Sequence, residues 1–232
     1  ERLRSFKGCV FDMDQTLLGT ERENQFGWYV MIYVLQQFAR LDLGLGRELE
    51  PADMQFVMAK NRDECRRLAK EKFGPEFPYD LLKDTRTKLC ERFSQTYGAV
   101  VMQGVVELLE LLKKRRIRCA VATSSDSKAA ARLLELAGIS DFFEAVIGGD
   151  QFTNSKPHPE SFEKACDALG LEPGFVLGFE DTSVGAKASY SAGLMTFLVP
   201  GLLAPEPDDE KRALIAGTML EIRDLLDFFL PS

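Results

Sequence analysis

A short apolar run ends on two carboxylates in Lys7-Gly8-Cys9-Val10-Phe11-Asp12-Met13-Asp14-Gln15-Thr16-Leu17-Leu18, as expected where a buried strand ends. In a strand, residues i and i+2 face the same side, about 6.6 Å apart. Two unpaired anions at the end of a buried strand are costly, so a divalent cation or a shared proton is expected beside them. Taken alone, the pair is more often an acidic turn after an edge strand, because Asp is common in turns.

The composition is that of an ordinary globular protein, with 45% hydrophobic and 28% charged residues in 232. A net charge of -7 argues against nonspecific binding to nucleic acid or to an anionic membrane. The five cysteines form no Cys-x-x-Cys pair, which favours reduced thiols and a cytoplasmic protein. No apolar signal segment precedes the first strand, and no apolar run reaches membrane-spanning length.

From residue 105 onward, helix patterns alternate with short apolar runs, which is typical of βαβ units in a parallel sheet. After the first strand, we predict strands at residues 118–122, 145–147, 175–179 and 195–199. The predicted helices are residues 105–116, 128–137, 160–169, one ending at 192, and 220–229. The sequence therefore predicts an α/β fold, a Rossmann-like parallel sheet flanked by helices.

Between the first strand and residue 98 lies a segment rich in helical periodicity and poor in strand signals. Its apolar residues Met31, Val34, Leu35 and Phe38 have the spacing of one helix face. A βα connection does not need so much chain. We therefore predict a core of residues 1–18 and 98–232 and an inserted helical cap of residues 19–97 that closes over the strand ends.

Polar side chains follow several of the predicted strands, and the carboxyl ends of parallel strands form one ligand-binding edge. In chain order they are Asp12, Asp14, Thr123, Lys156, Glu180 and Asp181. Carboxylates hold a hard cation such as Mg²⁺, while the hydroxyl and the ammonium attract an anion. The serines before the helix at residue 128 are expected to add free backbone N–H groups. This combination fits a phosphate better than a carboxylate.

An Asp held against Mg²⁺ and facing a phosphoryl group is an ionised nucleophile that can form an aspartyl-phosphate. The second Asp can protonate the leaving oxygen and later deprotonate the attacking water. Lys156 and the metal would oppose the charge that spreads over the phosphoryl oxygens.

Four motifs carry these side chains: Asp12-Met13-Asp14-Gln15-Thr16, Val121-Ala122-Thr123-Ser124-Ser125, Lys156-Pro157 and Glu180-Asp181-Thr182-Ser183-Val184-Gly185. Together they closely resemble the haloacid dehalogenase superfamily, over the whole chain. The helical cap places the resemblance in the branch of β-phosphoglucomutase and of phosphatases like pseudouridine-5'-phosphatase. The resemblance implies an enzyme that hydrolyses a sugar phosphate or a nucleoside monophosphate. We expect it to act in the cytoplasm, as a monomer or weak homo-oligomer.

By this resemblance, Asp12 is the nucleophile and Asp14 the general acid and base, whose backbone carbonyl also meets the metal. Asp181 binds Mg²⁺, and Glu180 binds or supports it. Thr123, Ser124 and Lys156 hold the phosphoryl group. Arg62 is added to them because its position resembles a substrate-binding cap arginine.

Other residues are expected to play smaller parts or depart from the family pattern. Arg86 and Lys88 are expected on a solvated helix face, and His158, the only histidine, in solvent or capping the next helix. Gln15 stands where the family usually has Gly. Asn24 stands where β-phosphoglucomutase has a His that helps sugar transfer, which weakens a mutase interpretation.

Three other functions compete with the phosphatase. In a sugar phosphomutase, a sugar bisphosphate would replace water as acceptor. A dehalogenase has no leaving oxygen to protonate, so Asp14 argues against it. A phosphoryl-accepting signalling module has similar strand-end residues but no acid or base two residues after its acceptor Asp, and no large cap.

Overall fold

A computed structural model describes residues 6–20, 60–199 and 213–229. In this part of the chain, six parallel strands form one sheet in the order β3-β2-β1-β4-β5-β6. The strands are β1 (Gly8–Phe11), β2 (Arg118–Ala122), β3 (Ala145–Ile147), β4 (Val176–Glu180), β5 (Met195–Leu198) and β6 (Ala213–Ile215). The predicted α/β fold with a Rossmann-like parallel sheet is confirmed.

Seven α-helices fall within the described residues. They are α1 (Arg62–Phe73), α2 (Tyr79–Tyr97), α3 (Val105–Lys114), α4 (Ser127–Leu136), α5 (Glu160–Leu169), α6 (Ser183–Ser191) and α7 (Met219–Phe229). Five of them follow the predicted core helices with shifts of one or two residues, the usual uncertainty of helix ends. No described helix is long and apolar enough to span a membrane.

The centre of the sheet is an apolar layer that holds the strand ends in place. Phe11 of β1 stacks on Phe179 of β4 with ring centroids 4.3 Å apart, and Phe179 stacks on Phe197 of β5 at 5.6 Å. On the other face, Val10 and Ala120 belong to a cluster with Phe162 of α5. Because β1 pairs with both β2 and β4 in parallel, the residues after these three strands meet at one edge.

The strand β6 was not predicted. It comprises only Ala213, Leu214 and Ile215, and pairs with β5 at the edge of the sheet. Three residues carry too little alternation to indicate a strand.

The described part of the predicted cap, residues 60–97, contains α1 and α2. Asn61 caps α1 and ties it to the core, because its N–H donates to Ser155 Oγ at 2.8 Å and its side-chain amide to Thr153 O at 3.0 Å. Helix α2 packs against α4 of the core. The helix predicted around Met31 and the position Asn24 lie outside the described residues, and the domain limits stay a prediction.

Candidate active site

The two carboxylates of the first motif have different partners. The strand β1 ends at Phe11, so the assumed strand spacing does not extend to Asp14. Lys156 Nζ donates to Asp12 Oδ1 at 2.6 Å. Asp14 instead accepts from Thr20 Oγ1 at 2.5 Å and from Ser125 Oγ at 3.2 Å. The pair is thus separated into one carboxylate beside the buried lysine and one held by hydroxyls.

Lys156 forms the buried electrostatic centre of the site, with its side chain only 2% exposed. Besides Asp12, its ammonium contacts Glu180 Oε1 at 2.5 Å and donates to the Ala122 carbonyl at 3.2 Å. Burial favours the neutral amine, but the two carboxylates outweigh it and raise the pKa of Lys156 above its usual range. The lysine therefore remains charged and links the ends of β1, β2 and β4.

Asp12, Glu180 and Asp181 form an acidic cluster, each offering an oxygen within 4.8 Å of the others. Burial, followed by the charge of Glu180, raises the pKa of Asp181 to about 9. Burial also raises the pKa of Asp12 to about 8, against the opposing effect of Lys156. If all three carboxylates are ionised, their charge exceeds that of the one ammonium, and a divalent cation would neutralise the excess. The all-oxygen donor set fits a hard cation such as Mg²⁺.

Glu180 is held tightly from two sides. While Oε1 contacts Lys156, Oε2 accepts from Thr182 Oγ1 at 3.1 Å and from the N–H of Asp181 at 3.2 Å. A Cβ added to Gly185 would lie 1.9 Å from Glu180 Oε1. Close packing against this carboxylate explains a glycine inside helix α6, where glycine is otherwise unfavourable.

The loop after β2 brings three hydroxyl side chains to the same edge. Thr123 is fully buried, and its Oγ1 accepts from the N–H of Ser125 at 3.1 Å. Ser124 Oγ is buried with no hydrogen-bond partner among the described residues, a donor that a phosphate oxygen could satisfy.

The expectation of free N–H groups before α4 is wrong for two of the serines. The N–H of Ser125 donates to Thr123, and that of Ser127 to Asp150 Oδ1 at 2.6 Å. A tertiary contact therefore already satisfies the first amide of α4.

Two residues that the sequence left open have structural explanations. Gln15 has a φ of 62°, in the left-handed region that favours glycine, which explains why the family usually has Gly there. His158 is exposed, and its Nδ1 accepts from the N–H of Glu160 at 3.3 Å, so it caps α5 as expected.

The basic side chains of the cap differ in their surroundings. Arg62 pairs with Asp80 at 2.9 Å, Asp84 at 2.7 Å and Asp126 of the core at 3.7 Å. Its contact with a substrate stays a prediction. Lys88 is exposed, as expected, whereas Arg86 lines a cleft that also contains Asp14.

Lys83, which the sequence analysis did not single out, lines the same cleft as Arg86. The spacing of Lys83, Arg86 and Cys90 at i, i+3 and i+7 on α2 is the signal that indicates a shared face. The cleft is therefore bounded by the acid-base candidate of the core and by charged side chains of the cap, of which Lys83 and Arg86 are cationic and Glu91 is acidic.

Comparison with known proteins agrees with this arrangement. The family model for haloacid dehalogenase-like hydrolases matches residues 9–199. The phosphorylated carbohydrates phosphatase of Thermotoga maritima is 32% identical over 50% of this chain and 54% of its own, about half its length. The validoxylamine A 7'-phosphate phosphatase of Streptomyces hygroscopicus subsp. limoneus is 27% identical over 82% of this chain and 83% of its own.

Among solved structures, a CbbY variant from Rhodobacter sphaeroides in complex with xylulose-1,5-bisphosphate has a TM-score of 0.78. The match covers 93% of this chain and 96% of that one at 18% identity. At this identity it shows that the two proteins share a fold.

Proposed function

This chain belongs to the haloacid dehalogenase-like hydrolase family and is a phosphoric monoester hydrolase, and we propose that it acts as a Mg²⁺-dependent phosphatase of small phosphorylated metabolites. The substrate is a sugar phosphate or a nucleoside monophosphate, and the reaction proceeds through an aspartyl-phosphate on Asp12. The relatives named as phosphatases support the reaction class. The observation that carries the proposal is the buried contact of Lys156 with both Asp12 and Glu180, beside Asp181.

Asp12 is the proposed nucleophile because its carboxylate lies beside both Lys156 and the other proposed metal ligands. Lys156 occupies Oδ1, so Oδ2 is the oxygen that would attack phosphorus. The new Oδ2–P bond forms as the ester P–O bond breaks, and the leaving oxygen takes a proton from Asp14. The products of this step are aspartyl-phosphate and the free alcohol.

Asp14 then serves as general base for hydrolysis. Water attacks the phosphorus of the aspartyl-phosphate, Asp14 takes the proton, and the P–O bond to Asp12 breaks to release inorganic phosphate. The hydroxyls of Thr20 and Ser125 orient the Asp14 carboxylate for both steps. General acid-base catalysis of this kind contributes typically ~10²- to 10⁴-fold to the rate.

The residues proposed to hold the metal are Asp12 and Asp181, with the Asp14 backbone carbonyl and with Glu180 as ligand or support. A bound Mg²⁺ supplies positive charge that favours the ionised form of Asp12 and opposes the charge of the phosphoryl oxygens. Thr123, Ser124, Lys156 and Arg62 are proposed to bind those oxygens.

The protein is proposed to act in the cytoplasm as a monomer or weak homo-oligomer. Its proposed partner is a small phosphorylated metabolite, and it is expected to bind neither nucleic acid nor a membrane. All five cysteines lie within the described residues, and none of them forms a disulfide, which supports a reducing compartment.

The test is a phosphate-release screen over sugar, polyol, nucleotide and pseudouridine monophosphates, with Mg²⁺ or with EDTA. We expect release from at least one ester with Mg²⁺ and none with EDTA. Release that EDTA leaves unchanged would contradict the metal-dependent mechanism. Interconversion of hexose phosphates that needs an added sugar bisphosphate, without net phosphate release, would favour the mutase. A long-lived phosphorylated Asp12 with negligible turnover would favour the signalling module.

A further inference from the structure

Asn61, at the start of the cap helix α1, joins the cap to the core segment that precedes the buried lysine of the site. Asn61 is only 3% exposed. Its N–H donates to Ser155 Oγ at 2.8 Å, and its side-chain amide donates to the carbonyls of Thr153 at 3.0 Å and of Phe152 at 3.4 Å. Three hydrogen bonds from one buried cap residue thus hold residues 152–155 of the core.

The side chain of Asn61 uses both ends of its amide. Its Oδ1 accepts from the N–H of Glu64 at 3.0 Å and so caps α1, while its Nδ2 donates to the two core carbonyls. Serine and aspartate cap helices about as well as asparagine does. Neither of them carries an amide donor that reaches the carbonyls. An asparagine at this position therefore serves the contact with the core as well as the start of the helix.

The segment that Asn61 contacts is also held by the core. The Glu160 carboxylate of α5 accepts from the N–H groups of Thr153 at 3.1 Å and of Asn154 at 2.8 Å. The N–H groups of the segment thus bind to the core, whereas its carbonyls bind to the cap. The place of the segment depends on both contacts.

Lys156 follows Ser155 directly, so this segment decides where the lysine side chain begins. The Lys156 ammonium lies 2.6 Å from Asp12 Oδ1 and 2.5 Å from Glu180 Oε1. Because consecutive Cα atoms stay about 3.8 Å apart, the backbone of Lys156 cannot keep its place when that of Ser155 moves. A misplacement of about 1 Å at a reaction site can cost about 10²-fold in rate.

We propose that Asn61 is a positioning residue for Lys156, which fixes the segment before the lysine when α1 lies against the core. The inference rests on the proposed phosphatase function, in which Lys156 binds the phosphoryl group. The neighbouring Arg62 pairs with Asp126 of the core at 3.7 Å and so supports the same contact between α1 and the core. Asn61 acts through the backbone of residues 152–155 and not on the reacting atoms.

The experiment compares Asn61→Ser and Asn61→Asp with the wild type, with Mg²⁺ and the best ester from the substrate screen. Both variants keep an oxygen for the Glu64 N–H, so a residue that only caps α1 would give three equal enzymes. For a positioning residue, kcat/KM falls about tenfold in Asn61→Ser, as for the loss of one or two hydrogen bonds. It falls by about 10²-fold in Asn61→Asp, because a carboxylate oxygen then faces two carbonyl oxygens and forces the segment away.

Arg67→Gln is the matched control on the same helix. The Arg67 side chain is 57% exposed and pairs only with Glu71 of its own helix among the ion pairs of the described residues. Its kcat/KM should stay within about twofold of the wild type. Equal kcat/KM in the wild type and both Asn61 variants would overturn the positioning role.

Hydrogen exchange of the same proteins tests the segment without any substrate. The amides of Thr153 and Asn154 should exchange at least about tenfold faster in Asn61→Asp than in the wild type, while those of β1 stay equally protected. If β1 also loses protection, that variant unfolds globally, and the comparison with Asn61→Ser decides.

The two measurements separate this inference from the proposed function. Faster exchange of the segment in the variants, with a wild type that hydrolyses no ester, would contradict the phosphatase and support the hold of Asn61 on the segment. Phosphate release with equal kcat/KM in all three proteins would support the phosphatase and refute the positioning role. Equal exchange in all three proteins would overturn the inference whatever their turnover.

Discussion

The substitution Gly185→Ala is expected to disturb the buried ion pair without touching a charged residue. The new Cβ would lie 1.9 Å from Glu180 Oε1, 2.0 Å from Cδ and 2.2 Å from Oε2. Since carbon contacts are optimal at about 3.5–4.0 Å, the separation falls short by about 1.5 Å. Either the Glu180 carboxylate or helix α6 has to move by more than an ångström.

Both movements are costly. Overpacking of this kind destabilises a fold by about 1–3 kcal/mol. A shift of Glu180 also stretches its 2.5 Å contact with Lys156, and a hydrogen bond to a charged group contributes about 1.5–3 kcal/mol. The better helix propensity of Ala offsets about 1 kcal/mol. We expect a net loss of about 2–4 kcal/mol in the free energy of unfolding.

Urea denaturation of the metal-free protein should show this loss as a lower midpoint concentration. The dependence of the unfolding free energy on urea concentration should stay unchanged. The matched control is Gly174→Ala, where no atom lies within 4 Å of the added Cβ. That variant should be unchanged or stabilised by up to about 1 kcal/mol. A Gly185→Ala midpoint equal to that of the control would refute the packing argument.

Three further predictions concern the charges of the site and its surroundings. Asp14→Asn should lower kcat/KM, which reports formation of the aspartyl-phosphate, about 10²- to 10⁴-fold for alkyl phosphates but much less for 4-nitrophenyl phosphate, whose leaving group needs no proton; equal losses in kcat/KM would contradict the acid role. The apparent Mg²⁺ affinity, measured by calorimetry, should rise from pH 6 to 9, because cation binding displaces protons from Asp12 (pKa about 8) and Asp181 (pKa about 9); a pH-independent affinity would refute this. The backbone N–H groups of Asn154 and Thr153 lower the pKa of Glu160 from 4.5 to about 2, so its stabilisation is complete above pH 4.5 and lost as pH falls towards 2. Glu160→Gln should flatten the stability profile in that window, and an unchanged acid limb in urea titrations would contradict the assignment.

The positions of the candidate site residues were predictable where the residue comes immediately after a strand. Thr123 comes one residue after β2, and Asp181 one residue after β4, so parallel pairing alone brings them to one edge. Close packing at Gly185 was also predictable, because glycine is unfavourable inside a helix unless a neighbouring group leaves no room for a side chain. The structure adds the reason, which is the Glu180 carboxylate.

Features that depend on tertiary contacts were not predictable. The Ser127 amide was expected to be free, but Asp150, 23 residues away, accepts its hydrogen bond. Lys83 gains its place only when α2 docks against α4 beside Asp14. The different partners of Asp12 and Asp14 arise because β1 ends at Phe11, and element ends are what a sequence pattern locates least well.

Whether Asp12 is the nucleophile is decided by the turnover of the Asp12→Asn protein with Mg²⁺ and the best ester from the substrate screen. If Asp12 is the nucleophile, phosphate release falls by several orders of magnitude relative to the wild type, while the protein stays folded. Turnover undiminished by the substitution would contradict the aspartyl-phosphate mechanism.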